Sequence, residues 1–240
     1  MVLHVILTHL PIEVYDALPS TMDAEPPGLP GVVAALTQTR GRGRTGAWLS
    51  PRGGAWLTIS LPAGAAAGPR LPVAVGGCLA ARLENLAGAG PGSIEVKWPN
   101  DLYTYRGKLA GVLVEERGGA LRIGVGVNVY NEAPRGAARL ADLGYRGPLA
   151  EVYLAVVEAV LDAARDPGRC LGEARERDVL RDAWVEVETP WGPAAGVARG
   201  ITGTGALLLE TTHGLREVYC CRVLGWSRDG KPHRRGISRV

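Results

Sequence analysis

The chain has 240 residues, of which 46% are hydrophobic and 21% are charged. These proportions are close to those of ordinary globular proteins and exclude disordered, collagen-like and acidic-tail classes. The formal net charge is only +3. Residues 226–240 alone carry +4 and leave the rest of the chain at about −1, so no broad basic face for nucleic acid is expected. The length suits one large domain with a small second domain.

No stretch of the sequence predicts a membrane span or an export signal. No apolar run approaches the ~18–20 residues that cross a bilayer. The N-terminal apolar residues 2–7 lack the charged start and the long apolar stretch of a signal peptide. We therefore expect a cytoplasmic protein without membrane contact.

The cysteines and histidines give no disulfide or metal pattern. Cys78, Cys170, Cys220 and Cys221 show no CxxC spacing, and an adjacent pair is poorly placed for an ordinary disulfide. We expect reduced thiols, with Cys78 and Cys170 in the core. The four histidines are scattered and form no zinc-binding motif, so no built-in metal site is predicted.

The first 181 residues combine predicted strands with two amphipathic helices. The strands are predicted at residues 2–7, 55–61, 94–98, 109–115 and 121–129, and the helices at residues 71–86 and 149–164. The segment 109–115 is nearly all apolar, which is typical of a strand in the centre of a sheet. After the first strand, the chain is predicted to be a loop through Pro11 and Pro19 as far as Ser20.

Beyond about residue 182 the pattern changes to short strands separated by Gly, Pro and Thr turns. These strands are predicted at residues 185–189, 195–201, 206–210 and 215–218. The pattern predicts a small β-barrel, and therefore a division of the chain into residues 1–181 and residues 182–240.

The segment 38–46 has glycines at alternate positions between arginines. Glycine lets backbone N–H groups approach an anion, and the guanidinium groups of Arg42 and Arg44 can neutralise a phosphate or carboxylate. Three interpretations stay open for this segment alone: a phosphate-binding loop, a flexible surface loop, or an RGG-like contact to nucleic acid.

A second candidate site is residues 97–101, with the sequence KWPND, where a strand stops at a proline and presents Asn100 and Asp101. Lys108 opens the next apolar strand, one hairpin later, so we expect its cation to lie close to the Asp101 carboxylate. An Asn-Asp pair after proline is also ordinary turn chemistry, and a lysine at a strand end can simply reach water.

A third candidate is the strand 122–129, where apolar residues alternate with Arg, Gly, Gly and Asn. One face of this strand is therefore apolar, and the other is bare at Gly124 and Gly126 and ends at Asn128. A bare strip leaves room for a flat ligand, and an asparagine amide can bond both edges of an adenine-like ring. A bulged, tightly packed strand is the alternative.

Five motifs in this order together resemble the biotin protein ligases. They are Gln38 with GRGR at 41–44, WLSP at 48–51, KWPND at 97–101, KLAG at 108–111 and GVGVN at 124–128. The resemblance is clear from Ser20 to about Asn131 and fainter for the predicted barrel. Any one motif is weak evidence, whereas five in order are specific.

The resemblance implies an α+β fold: a catalytic domain like that of class II aminoacyl-tRNA synthetases, with a mixed sheet and flanking helices, followed by an SH3-like β-barrel. It also implies biotin and ATP as substrates, a requirement for Mg²⁺, a lysine of a biotin carboxyl carrier protein as acceptor, and a homodimer. A strand predicted from residue 2 leaves no room for an N-terminal helix-turn-helix, so specific DNA binding is not expected.

The resemblance also implies roles for individual residues. It places Ser20, Thr21, Gln38, Gly111 and the backbone of Arg42 around biotin, Arg44 and Lys108 at the carboxylate and phosphate, Trp48 and Asn128 at the adenine, and Asp101 at the transfer step. Biotin would be activated to biotinyl-5′-AMP with release of pyrophosphate, and the acceptor lysine would then attack this mixed anhydride.

Two other functions remain to be separated from this one. A lipoate or octanoate protein ligase would share the fold and differ in its acyl pocket. A non-enzymatic RNA-binding protein would use the arginine-rich segment, the barrel and the basic tail, and its binding would weaken with salt and ignore ATP.

Overall fold

A computed structural model describes residues 10–64, 68, 70–219 and 222–228 of the chain. The strand predicted at residues 2–7, the Cys220–Cys221 pair and most of the basic tail lie outside the described residues. Within the described part, no helix is long and apolar enough to cross a membrane.

The first sheet has seven strands in the order β1-β2-β5-β9-β8-β7-β6, and only the β1–β2 pair is parallel. A separate hairpin is formed by the two-residue strands β3 and β4. The nine strands in chain order are β1 Ile12–Tyr15, β2 Gly31–Ala35, β3 Arg42–Gly43, β4 Gly46–Ala47, β5 Ala55–Pro62, β6 Glu95–Lys97, β7 Asp101–Thr104, β8 Gly107–Arg117 and β9 Ala120–Val127.

The apolar strand β8 lies inside the sheet, between β9 and β7, as its apolar sequence predicted. The structure corrects two other details of the predicted sheet. The segment expected to be a loop after residue 7 contains β1, which pairs with β2 along the edge of the sheet. Asp101 begins a four-residue strand, β7, rather than belonging only to a turn.

Among the described residues, three α-helices pack with the sheet around one hydrophobic core, and a short 3-10 helix spans Leu140–Leu143. The α-helices are α1 Leu71–Ala87, α2 Leu149–Arg165 and α3 Pro167–Glu176. Helices α1 and α2 confirm the two predicted from apolar spacing, whereas α3 was not predicted. The odd-numbered residues of β9, such as Ile123, join this core, so the even-numbered residues face the opposite side of the sheet.

A disulfide joins Cys78 on α1 to Cys170 on α3. The expectation of reduced thiols is wrong for this pair, although both residues are in the core as predicted. The two helices approach closely at Gly77, where an added Cβ would lie 2.2 Å from the Cys170 carbonyl oxygen. Because the pair is separated by 92 residues, only the packing of α1 on α3 brings the sulfurs together.

The C-terminal part is an antiparallel sheet in the order β13-β12-β11-β10-β14. Its strands are β10 Trp184–Thr189, β11 Gly192–Ile201, β12 Leu207–Thr211, β13 Gly214–Val218 and β14 Arg222–Ser227. The predicted α+β fold is confirmed, and β14 is one strand more than the sequence pattern indicated. The Trp98 indole N–H donates to the Gly205 carbonyl at 3.1 Å, which ties this sheet to the end of β6.

Candidate functional site

The polar end of the site is a hydrogen-bonded group of side chains around Gln38. Its amide oxygen accepts hydrogen bonds from the Thr21 backbone N–H at 2.8 Å and from the Thr21 hydroxyl at 3.1 Å. Its amide nitrogen donates to the Ser50 hydroxyl at 2.7 Å, and the Thr58 hydroxyl donates to that of Thr21 at 2.9 Å. Together with buried Ser20, these groups form a wall suited to a small polar group.

Arg42 contributes to this end of the site while its side chain is engaged elsewhere. The guanidinium forms ion pairs with Asp23 at 2.8 Å and with Glu115 on β8 at 2.5 Å. The residue nevertheless lines the cavity beside Gln38, and a role for its backbone stays a prediction. These two anchors favour an ordered ligand-binding loop over a flexible surface loop.

The bare strip of β9 is covered by side chains from two loops. A Cβ added at Gly124 would lie 2.6 Å from the Met22 sulfur, and one added at Gly126 would lie 2.7 Å from the Trp48 indole nitrogen. The alternation of glycines in the sequence predicted that this strip is open to a flat ligand. In the structure the glycines instead admit Met22 and Trp48, and the cavity between these side chains and the polar wall holds about 50 Å³.

Lys108 and Asp101 form the ion pair that their spacing predicted. The Lys108 ammonium lies 2.6 Å from the Asp101 carboxylate and 5.0 Å from the centre of the Trp48 ring. Adjacent strands β7 and β8 bring the two charges together, with Asp101 opposite Gly111 in the register. A Cβ at Gly111 would be 3.1 Å from the Trp48 ring, so glycine lets the ring lie close to β8.

Cations converge on a second cavity, of about 300 Å³, between the first sheet and β14. Its charged lining residues are Arg44, Lys97, Asp101, Lys108 and Arg222. Burial lowers the pKa of Lys97, and the neighbouring charges of Lys108 and Arg44 lower it further, while Asp101 opposes the shift. Four cations with one carboxylate, already paired with Lys108, make a site of positive potential that suits a polyphosphate.

Asn128 lies at the end of β9 in a third cavity, which it shares with Trp48, Leu49 and residues 134–137. It is buried, and its backbone N–H donates to the Leu109 carbonyl at 3.0 Å. Its side-chain oxygen accepts a hydrogen bond from the Asn131 amide at 3.1 Å. That bond fixes the amide orientation, so Asn131 sets the direction of the Asn128 amino group. No sequence motif marked Asn131.

Trp48 and Lys108 line all three cavities and join them into one cleft. Each of the ten residues implied by the resemblance lines at least one of these cavities. The Trp48 indole N–H is buried and has no hydrogen-bond partner among the described residues. A buried donor of this kind inside a cleft is available to a ligand.

Among the residues of the cleft to which the sequence pattern assigns no role are Met22, Lys97 and Arg222. Met22 directly follows Ser20 and Thr21, and Lys97 is the first residue of the KWPND motif. Both residues are therefore adjacent to residues that the sequence motifs marked. Arg222 had no such signal, because its place depends on how β14 packs beside the first sheet.

Comparison with known proteins identifies the family. Residues 17–129 match the Biotin/lipoate A/B protein ligase family. The chain is 32% identical over 193 residues to the biotin–[acetyl-CoA-carboxylase] ligase of Mycobacterium tuberculosis, which covers 75% of this chain and 73% of that protein. The chain belongs to the biotin protein ligase family. The resemblance drawn from the five motifs is thereby confirmed.

Two further relatives of this family extend the comparison. The biotin–[acetyl-CoA-carboxylase] ligase of Paracoccus denitrificans is 35% identical over 239 residues, covering 82% of this chain and 92% of that protein. The structure of the biotin protein ligase from Aquifex aeolicus in complex with biotin and ATP superposes with a TM-score of 0.76 at 24% identity. This alignment covers 89% of this chain and 98% of the Aquifex protein, so the fold of the two proteins is the same.

Proposed function

We propose that this chain is an ATP-dependent biotin protein ligase that makes biotinyl-5′-AMP and transfers biotin to a lysine of a carrier protein. The observation that carries the proposal is the continuity of the cleft. A small polar pocket around Gln38, a cationic cavity around Lys108 and a buried amide at Asn128 meet at Trp48. Such a sequence of environments fits an acyl head group, a phosphate and an adenine in that order.

In the first step a carboxylate oxygen of biotin attacks the α-phosphorus of ATP. The bond from the α-phosphorus to the oxygen of the β-phosphate breaks, and pyrophosphate leaves. Negative charge increases on the phosphoryl oxygens, and fixed cations are the groups that stabilise it. Arg44 and Lys108 are assigned to the reacting phosphate, and Lys97 and Arg222 to the departing pyrophosphate.

In the second step the acceptor lysine attacks the acyl carbon of the adenylate. The bond from the acyl carbon to the AMP oxygen breaks, and the amine gives up a proton. Asp101 is assigned to orient that amine or to accept its proton. Its ion pair with Lys108 at 2.6 Å supports this assignment, because Lys108 is assigned to the phosphate of the same anhydride.

The described residues supply little for a metal ion by themselves. No group of three or more His, Cys, Asp or Glu side chains that could hold a metal ion occurs in the described ranges, and Asp101 is the carboxylate of the cationic cavity. This donor set fits a Mg²⁺ ion that arrives on ATP and is held mainly by phosphate oxygens and water. Such an ion would neutralise charge on the phosphates.

Further parts of the proposal concern partners and location. The acceptor is a biotin carboxyl carrier domain, the protein forms a homodimer, and the cytoplasm supplies its ATP. A lipoate or octanoate ligase is the weaker alternative, because Gln38 with its hydroxyl partners presents more polar groups than a simple acyl chain uses. The division at residues 181 and 182 stays a prediction, to be tested by expressing residues 1–181 alone.

The direct test measures pyrophosphate release with different acids. Purified protein and ATP should release pyrophosphate with biotin and not with lipoate or octanoate. Release with octanoate but not with biotin would replace the proposal with the acyl-chain alternative. RNA binding that is insensitive to ATP, without pyrophosphate release from any of the acids, would favour the non-enzymatic alternative.

A further inference from the structure

Met22 occupies space beside the polar wall of the acyl pocket. Its sulfur is the atom nearest to the position of a Cβ on Gly124, at 2.6 Å, and its Cγ is next at 3.0 Å. Only 3% of the residue is exposed. The thioether therefore occupies the space that a side chain at position 124 of β9 would fill. This is possible because Gly124 has no side chain.

The backbone of Met22 is held firmly on both sides. Its N–H donates to the Ser20 hydroxyl at 3.3 Å, and its carbonyl accepts a hydrogen bond from the Arg122 guanidinium at 3.0 Å. Arg122 is itself buried and also donates to the Ala24 carbonyl at 2.8 Å. The position of the Met22 Cα is thus fixed, whereas its side chain is held by packing alone.

Trp48, the other side chain over the glycine strip, is better fixed than Met22. Its ring meets the Trp56 ring edge-on at 6.5 Å between centroids, and Lys108 lies over one side of it. Its backbone N–H donates to the Gly41 carbonyl at 2.9 Å. A methionine side chain, with three rotatable bonds and no branch, adjusts more easily than an anchored indole.

The enclosed part of the cavity beside Met22 is small. It holds about 50 Å³, roughly a third of the volume of an engineered apolar cavity of about 150 Å³ that binds benzene. A bicyclic ring system therefore enters this part of the cleft only if one of its walls moves. Of the two side chains that cover the glycine strip, Met22 is the one that can withdraw without breaking a hydrogen bond or an aromatic contact.

We propose that Met22 is the adaptable wall of the acyl pocket, whose side chain yields to the ring system of the acid and then packs against its apolar edge. This inference rests on the proposed function and adds a residue that decides which rings fit. Ser20 and Thr21 face the polar edge of the same ring system, so three consecutive residues recognise its two edges. The rate at which biotin enters is set by the freedom of the Met22 side chain.

Stopped-flow tryptophan fluorescence with biotin as the probe tests the proposal. Met22→Ile has a branch at Cβ that restricts χ1, and it should slow biotin association by about tenfold. The Met22→Ala variant should bind biotin at least as fast as wild type and release it faster. Its affinity for biotin sulfone, which has two extra oxygens on the ring sulfur, should be higher relative to its affinity for biotin than in the wild type. Leu154→Ile on the exposed surface of α2 is the matched control, with unchanged rates.

A reciprocal pair of variants guards against a folding artefact. Gly124→Ala places a Cβ against the Met22 sulfur and should weaken biotin binding, and adding Met22→Ala to it should recover part of the loss. Additive effects of the two changes, or a wild-type association rate for Met22→Ile, would overturn the inference. Biotinylation of a carrier domain by the wild-type protein is measured in parallel, so that loss of the proposed function is distinguished from loss of this role for Met22.

Discussion

Removing the disulfide between Cys78 and Cys170 should cost the protein much of its stability without changing the cleft. The pair closes a loop of 92 residues, and the chain-entropy relation for such a loop gives about 4.6 kcal/mol at 25 °C. Because a reduced or unfolded chain retains some structure, the measured loss should fall between about 2 and 5 kcal/mol. The double variant Cys78→Ala, Cys170→Ala removes the link and leaves two small apolar side chains.

Urea unfolding of the wild type and the double variant measures this difference directly. The wild type treated with a reductant that reaches the buried bond should show the same loss as the double variant. Peptide mapping of the non-reduced protein should recover the segments containing Cys78 and Cys170 as one linked species. Separate peptides, or equal unfolding midpoints for oxidised wild type and double variant, would refute the assignment of a stabilising disulfide.

Four further predictions concern the cleft and its surroundings. Lys108→Ala should lower pyrophosphate release from biotin and ATP by about a hundredfold or more while the melting temperature changes little, because its charge faces the reacting phosphate; unchanged release by folded protein would remove it from the mechanism. Asp101→Asn should slow transfer from purified biotinyl-adenylate more than it slows adenylate synthesis in single-turnover assays, and equal slowing of both steps would contradict the transfer role. Arg222→Gln should raise the KM for ATP and leave the KM for biotin unchanged. The control Arg216→Gln, elsewhere on the C-terminal sheet, should change neither KM. A wild-type KM for ATP in Arg222→Gln would count against the assignment of Arg222 to pyrophosphate. Burial raises the pKa of Asp178 to about 6, so the folded state loses stability as pH rises from about 4, where the unfolded carboxyl ionises, to about 6, and the whole loss is present above that. Asp178→Asn should therefore add about 2–3 kcal/mol to the free energy of unfolding at pH 7.5 and little at pH 4, and an equal gain at both pH values would contradict the buried-charge explanation.

Local sequence patterns predicted the elements whose apolar spacing is regular. Helices α1 and α2 were found within one residue of their ends because their apolar residues recur at helical steps. Helix α3 was missed because Pro167 was interpreted as a stop, although proline is also favoured in the first turn of a helix. Strand β1 was missed because Ile12 and Val14 are exposed at the sheet edge and follow a proline, so their pattern resembled a loop.

Contacts within the site could be predicted where the two residues lie on neighbouring strands of one hairpin. Contacts between segments that are distant in the chain could not be predicted. The hairpin from β7 to β8 is short, so the pairing of Asp101 with Lys108 followed from spacing. The two glycines of β9 were correctly recognised as unusual, but the side chains that cover them come from loops far away in the chain. Met22 and Trp48 reach the strip only through tertiary packing, which no periodicity in β9 reveals.

The disulfide shows the same limit for the core. Cysteine spacing could exclude a metal motif, but it could not show that α1 and α3 approach within bonding distance. The glycine pair Gly76-Gly77 was a visible signal inside a predicted helix. Only the structure shows that Gly77 is required by the close approach of Cys170.

One cleft is proposed both to activate biotin and to transfer it to a lysine. The most direct measurement is intact-protein and peptide mass spectrometry of a biotin carboxyl carrier domain incubated with the purified protein, biotin and ATP. One lysine of the domain should gain a single biotinyl group, only when both biotin and ATP are present, and Lys108→Ala should abolish the gain. A carrier domain that stays unmodified while the protein is folded and binds biotin would contradict the account.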